Sequence, residues 1–261
     1  MIEAGAAGVL CMGSMGNMVS IRNDEYPRVA RECVNAVGGR LPVMVGVMDC
    51  SVSRVLDRIE ALGDIKIDGV VATLPFYYKL NPGNTISFYK MLSKASGYPV
   101  YVYDLPPVAQ AAVTMDIMDG LKEESNIKGI KTANLAMILD MQRNNYLRDD
   151  FSVLYSGLDL FDVAIKYGIK KNLDGMFTCT PYNSKRMYED IEDGNEKIIS
   201  ESLKNILKLR NTFAKENIFS AYSYAMGLLG APGNYHPDYE VPVSEKLKEE
   251  IITCMKSIKE I

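Results

Sequence analysis

The run Asn126-Ile-Lys-Gly-Ile-Lys-Thr-Ala-Asn134 holds the side chain best suited to covalent chemistry in this chain. A short apolar strand (Ile127, Gly129, Ile130) ends in Lys131, and a helix opens shortly after it. Such a lysine has two readings. It can point into water, as ionisable residues at strand ends commonly do. Or it can sit in an apolar pocket, where an amine loses basicity and attacks carbonyls. The other strand ends bear on the choice. Gly13-Ser-Met-Gly-Asn17 follows one strand and Pro75-Phe-Tyr-Tyr-Lys79 another; Tyr103 and Asp104 end a third. Ser156-Gly-Leu-Asp159 and Thr178-Cys-Thr180 follow two more. Polar and phenolic groups thus converge on one lysine. An amine with phenols nearby suits Schiff-base chemistry on a 2-keto acid: it attacks the ketone, and the resulting iminium accepts electrons from a breaking C–C bond. A tyrosine can carry protons to and from the leaving oxygen. A glycine-flanked turn can aim N–H groups at the substrate carboxylate.

Other chemistries find little support. No cluster of Asp, Glu and His has ligand spacing, so no metal is expected. The single histidine, His236, lies in the turn-like run Asn234-Tyr-His-Pro-Asp-Tyr239, which leaves no histidine triad. Five scattered cysteines without a CxxC read as reduced, small core residues of a cytoplasmic protein. The net charge is -4, from 29 basic and 33 acidic residues with no basic stripe, so no nucleic-acid partner is expected. No apolar run approaches the ~20 residues of a membrane span. Residues 1–12 have neither the basic start nor the long apolar core of a secretory signal.

The elements that must position these groups alternate. Strands are expected at Ala7–Met12, Pro42–Val47, Asp68–Leu74, Pro99–Tyr103, Ile127–Lys131, Phe151–Tyr155 and Leu173–Thr178. Each is followed by a helical pattern: Asn23 or Asp24 caps the first helix and Ser51 the second. The strands are nearly continuous apolar runs, as in parallel sheets buried on both faces. Seven such units predict an α/β fold, a (β/α)8 TIM barrel lacking its first strand. Met1-Ile-Glu-Ala-Gly5 reads as the last turn of a helix, which implies about 30 residues upstream, the size of one strand and most of a helix. A doubly wound open sheet is the rival, weakened by the lack of a GxGxxG after the first strand. From Glu196 the pattern becomes helix upon helix. The expected organisation is a barrel domain over 1–195 and a C-terminal helical extension over 196–261.

Four motifs together resemble one family: Gly13-Ser-Met-Gly, Tyr103-Asp-Leu-Pro, Gly129-Ile-Lys131 and Gly175-Met-Phe-Thr. They are similar to those of the dihydrodipicolinate synthase / N-acetylneuraminate lyase family, over essentially the whole chain. The resemblance implies a (β/α)8 barrel with helical extension, a tetrameric or dimeric homo-oligomer, and no cofactor beyond the covalent lysine–substrate imine. It implies Lys131 as the Schiff-base lysine, Tyr103 as the proton-transfer tyrosine and Ser14 as the hydroxyl that relays to it. Tyr77 matches a relay tyrosine contributed across a subunit interface. Gly13 and Met15 belong to the carboxylate loop, and Gly175, Phe177 and Thr178 to the loop lining the pyruvate pocket. Asp159 matches a sugar-hydroxyl ligand of the sialic-acid lyases. Bland alternatives stand beside these roles: Tyr77 as a core tyrosine, Ser14 as a turn cap, Asp159 as a helix N-cap.

The departures guide the choice of substrate. Met15 stands where members carry a second hydroxyl, and Asn17 where a glutamate is common. The synthases place an arginine after their Tyr-Asn-x-Pro motif; here Pro107-Val-Ala-Gln110 has no cation. The expectation is therefore a class I lyase or aldolase joining or cleaving pyruvate and an aldehyde, acting on a sugar-derived 2-keto acid such as N-acetylneuraminate. The alternatives are 4-hydroxy-tetrahydrodipicolinate synthase and, outside enzymes, a catalytically silent keto-acid-binding paralogue.

Overall fold

Six apolar segments form one parallel sheet in the computed structural model, which describes residues 1–261. The strands are β1 (Val9–Cys11), β2 (Val43–Gly46), β3 (Gly69–Thr73), β4 (Val100–Tyr103), β5 (Ile127–Thr132) and β6 (Ser152–Tyr155). All five residues of β3 are buried, which accounts for its unbroken apolar character. Each strand pairs with its neighbour in sequence, in the order β1-β2-β3-β4-β5-β6. That order never reverses, so the sheet lacks the switch point of a doubly wound fold. Right-handed crossovers place the connecting helices on one face and leave the other free to curl inward.

Those helices are α1 (Tyr26–Val37), α2 (Val52–Ala61), α3 (Pro82–Ala95), the short α4 (Pro106–Ala109), α5 (Met115–Leu121) and α6 (Leu135–Arg143). Ser51 caps α2 by accepting from the Arg54 N–H, as its type and position predict. Asn134 caps α6 through Met137 and Asn81 caps α3 through Asn84. The cap expected at Asn23 or Asp24 is not made. The Asp24 carboxylate binds Arg22 instead, and α1 starts after Glu25 with a proline in its first turn.

The chain divides into two compact units. One is Ala7–Gly157, with the sheet and α1–α6; the other joins Met1–Ala6 to Leu158–Ile261. The second unit is helical: α7 (Phe161–Lys166), α8 (Met176–Cys179), α9 (Pro181–Asp193), α10 (Glu196–Phe213), α11 (Ile218–Leu228) and α12 (Glu245–Ser257). The boundary drawn from sequence at 195/196 lies between α9 and α10, which pack against each other within this unit.

One element differs from expectation. Leu173–Thr178 does not form a seventh strand; its second half is α8. The Asp174 carboxylate takes the Met176 N–H (2.8 Å), and the Thr180 hydroxyl binds the Met176 carbonyl (2.8 Å). Side chains thus satisfy backbone groups that a sheet ladder would otherwise need. Short apolar runs do not distinguish strand from buried helix by pattern.

Candidate active site

Parallel pairing sets Tyr103 of β4 directly beside Lys131 of β5. Residues in register lie on the same face of a sheet, and the next rung lies on the opposite face. Lys131 is only 7 % exposed, so the reading in which it points into water fails. Its amine lies 3.9 Å from the centroid of the Tyr103 ring. The Ser14 hydroxyl donates to the Tyr103 hydroxyl at 3.4 Å, which links the loop after β1 to the end of β4. Amine, phenol and alcohol are thereby gathered from three separate strand ends.

The loop that carries Gly13, Ser14 and Met15 is shaped by glycine contacts on either side. Met12 leaves β1 with φ 55, and its carbonyl lies against Gly46, where a Cβ would come within 2.0 Å of the Met12 oxygen. A Cβ on Gly16 would meet Met12 Cα at 3.1 Å and Gly13 N at 3.2 Å, so the loop folds tightly onto itself. Gly13 is buried, while Ser14 and Met15 are half-buried. The Ser14 side chain is therefore bonded to Tyr103 and does not serve only its own turn.

Behind this face lies a set of groups to which the sequence reading gave no role. The Asp104 carboxylate accepts from the Thr132 hydroxyl (2.7 Å) and from the Val113 N–H (2.9 Å). Burial pushes the Asp104 carboxyl above the usual range, against the pull of these two donors. An acid at one strand end and a threonine one place past the neighbouring lysine was the available signal. A second cluster closes the β2–α2 corner, where buried Asp49 binds Arg54 (2.6 Å) and buried Arg58 (3.0 Å).

Tyr77 stands apart from the Lys131 group. It is 71 % exposed, stacked edge-on to Tyr78 at 4.8 Å, and so is not a core tyrosine. In the second unit, Gly175 precedes α8, Phe177 is buried edge-on to Tyr188 at 6.0 Å, and Thr178 bonds to Tyr222. Asp159 is held by Arg210 of α10 through two bonds of 2.5 and 2.8 Å, which keep its carboxyl below the usual range. It sits inside a short 3-10 turn, not at the N-cap of α7. No group of three or more His, Cys, Asp or Glu is arranged to hold a metal ion.

A sequentially ordered parallel sheet with a buried amine at the end of its fifth strand, beside a phenol, defines the class of Schiff-base α/β enzymes. The model of the dihydrodipicolinate synthetase family matches residues 1–261, and the chain belongs to that family. Its members are carbon–carbon lyases that use a lysine Schiff base with pyruvate and need no metal or other cofactor. The chain is 24 % identical over 255 residues to the 4-hydroxy-tetrahydrodipicolinate synthase of Bradyrhizobium diazoefficiens, covering 97 % of this chain and 86 % of the relative. Among solved structures, it resembles YagE of E. coli K12, a prophage protein of the same family in complex with pyruvate. That match has a TM-score of 0.87 at 21 % identity and covers 99 % of this chain and 89 % of YagE. A monomeric dihydrodipicolinate synthase variant matches with a TM-score of 0.90 at 22 % identity, covering all of this chain and 88 % of the variant. No helix is long and apolar enough to cross a membrane.

Proposed function

We propose that Lys131 of this chain forms an imine with pyruvate, and that Tyr103, assisted by Ser14, moves the proton during C–C bond formation or cleavage. The observation that carries this reading is the buried Lys131 amine lying 3.9 Å from the Tyr103 ring, with Ser14 bonded to the phenol. The neutral amine attacks the keto carbon and water leaves. For bond formation the iminium gives up a C3 proton, taken up through Tyr103, and the resulting enamine carbon adds to the aldehyde; for cleavage the C3–C4 bond breaks, its electrons flow into the iminium and the aldehyde leaves. Tyr103 protonates or deprotonates the aldehyde-derived oxygen. Gly13 and Met15 supply the carboxylate loop. Met15 offers only its backbone N–H there.

For the aldehyde, the names of the curated relatives favour aspartate semialdehyde, the substrate of 4-hydroxy-tetrahydrodipicolinate synthase, over the sugar-derived acid expected from Asp159. The bidentate pair with Arg210 also occupies both Asp159 oxygens, which weakens its role as a sugar ligand. One observation supports the second reading, a sugar-acid lyase: Pro107–Gln110 has no cation to hold a second carboxylate. The roles of Gly175, Phe177 and Thr178 rest on their motif alone. Tyr77, exposed beside Tyr78, suits contact with a second copy of the chain, in a cytoplasmic homo-oligomer.

The test is incubation with pyruvate and borohydride followed by mass analysis. A reduced pyruvate adduct on the peptide containing Lys131 is expected; no adduct would leave the silent paralogue. A reductase-coupled assay with aspartate semialdehyde and a pyruvate-release assay with 2-keto-3-deoxy sugar acids then decide between the two substrates.

A further inference from the structure

The chemistry of the inner face depends on how firmly the ends of β4 and β5 are held, and the side chains of the next rung point the other way. The last strand bond between them runs from the Asp104 N–H to the Lys131 carbonyl at 2.8 Å. Immediately beyond it, the Asp104 side chain makes a second tie to the same strand through Thr132. Thr132 is fully buried, and its hydroxyl oxygen also accepts the Asn134 N–H at 3.0 Å. Asn134 in turn caps α6. The other Asp104 oxygen holds the Val113 N–H, in the segment leading to α5. One carboxylate therefore joins the end of β4, the end of β5, the start of α6 and the approach to α5.

We propose that Asp104 is a positioning residue for Lys131: by clamping Thr132 and Val113 behind the sheet, it fixes the end of β5 so that the amine stays beside Tyr103. Lys131 is next to Thr132 in the chain, so any slip or twist of Thr132 rotates the lysine out of register with Tyr103. The donor pattern explains why an acid serves well here. Both partners offer a proton, and a carboxylate accepts with both oxygens. An asparagine can keep both ties, its oxygen to the Val113 N–H and its amide to the Thr132 oxygen, but the Thr132 oxygen then accepts two N–H groups and its own buried proton loses the carboxylate. Alanine keeps neither tie. Misplacing a reacting group by about an ångström costs on the order of 10²-fold in rate. The loss should thus fall on the rate of imine formation and not on pyruvate affinity.

This inference rests on Lys131 being the imine-forming amine. The experiment is rapid borohydride quenching of the full-length protein across a pyruvate series, well below the melting temperature. For Asp104→Ala, the expected result is a maximal trapping rate at least about tenfold lower, with the half-saturating pyruvate concentration changed less than about threefold. Thr132→Val, which removes one hydroxyl and keeps the shape, should show the same pattern. The double variant should be no slower than either single one, because both break one clamp. Asp104→Asn, which keeps the ties but strands one hydroxyl proton, should trap at a rate between that of Asp104→Ala and the wild type. If Asp104→Ala does not fold, Thr132→Val and Asp104→Asn carry the test. Wild-type trapping rates in Asp104→Ala or Thr132→Val would overturn the proposal. So would an Asp104→Asn variant as slow as Asp104→Ala, since charge and not the clamp would then matter. Failure of the wild-type protein to trap pyruvate would instead undo the imine assignment itself.

Discussion

At Lys131 the fold places an amine where little solvent reaches it and the Tyr103 ring lies beside it. Lys131→Arg keeps the positive charge and most of the length but offers no neutral amine near neutral pH. Pyruvate trapping should fall by orders of magnitude while the folded state persists; near-normal trapping would remove Lys131 from the mechanism. Tyr103→Phe keeps the ring against the amine and deletes the hydroxyl that Ser14 binds. Turnover should drop by about 10²–10⁴-fold, the usual scale of proton transfer, with trapping slowed but present. Elsewhere, the Cys11 side chain of β1, whose thiol donates to the Val29 carbonyl (4.0 Å), neighbours the Cys33 thiol of α1 and holds it down to about 7, while Cys33 and burial push Cys11 far up. Alkylation of Cys33 by iodoacetamide, followed peptide by peptide, should therefore rise with a midpoint near pH 7. In Cys11→Ala, which removes the neighbouring donor, that midpoint should move upward.

Among elements, the β2–α2 corner shows how a buried charge is tolerated. Asp49 is buried, and burial is the largest influence on its carboxyl, pushing it up. Arg54, the Cys50 N–H and Arg58 together outweigh that and hold it below the ordinary value. A depressed carboxylate stabilises the fold at pH above its unfolded value of about 4, and the contribution is lost as pH falls through the still lower folded value. Removing Asp49 is costly because Arg58, also buried, would keep only neutral partners, the Met18 carbonyl (3.4 Å) and the Tyr26 ring (5.5 Å), and no anion. Asp49→Ala should lose roughly 3–5 kcal/mol in urea unfolding at neutral pH. It should also lose the part of the acid sensitivity below about pH 4 that Asp49 supplies. A loss under 1 kcal/mol would show that Arg58 finds water on its own. At the next loop the tight contact of Gly46 with the Met12 carbonyl sets where Ser14 emerges. The sequence shows this glycine without revealing the contact it serves.

For the whole molecule, the Tyr77–Tyr78 pair sets two exposed rings side by side on the surface. Two large rings at 71 % and 76 % exposure on one loop are unusual unless something covers them. Light scattering should give a multiple of 29.0 kDa, and Tyr77→Asp should reduce it. A wild-type particle of 29.0 kDa would end the oligomer proposal and align this chain with the monomeric synthase variant it resembles.

Much was legible in the chain because local rules govern it. Period and apolar runs located the six strands, Ser51 announced its cap, and the end of β5 singled out Lys131. The residue types at the strand ends suited Schiff-base chemistry, and four short motifs together carried the family resemblance. Tertiary structure decided the rest, for reasons that are not local. Leu173–Thr178 became a short helix because Asp174 and Thr180 satisfy its backbone. Asp159 was claimed by Arg210, 51 positions away in the chain. Asp104 gained its place from a pairing register that sets β4 against β5, across 28 positions between Asp104 and Thr132. Contacts between residues so far apart depend on which strands lie side by side, and no short window of sequence contains that information.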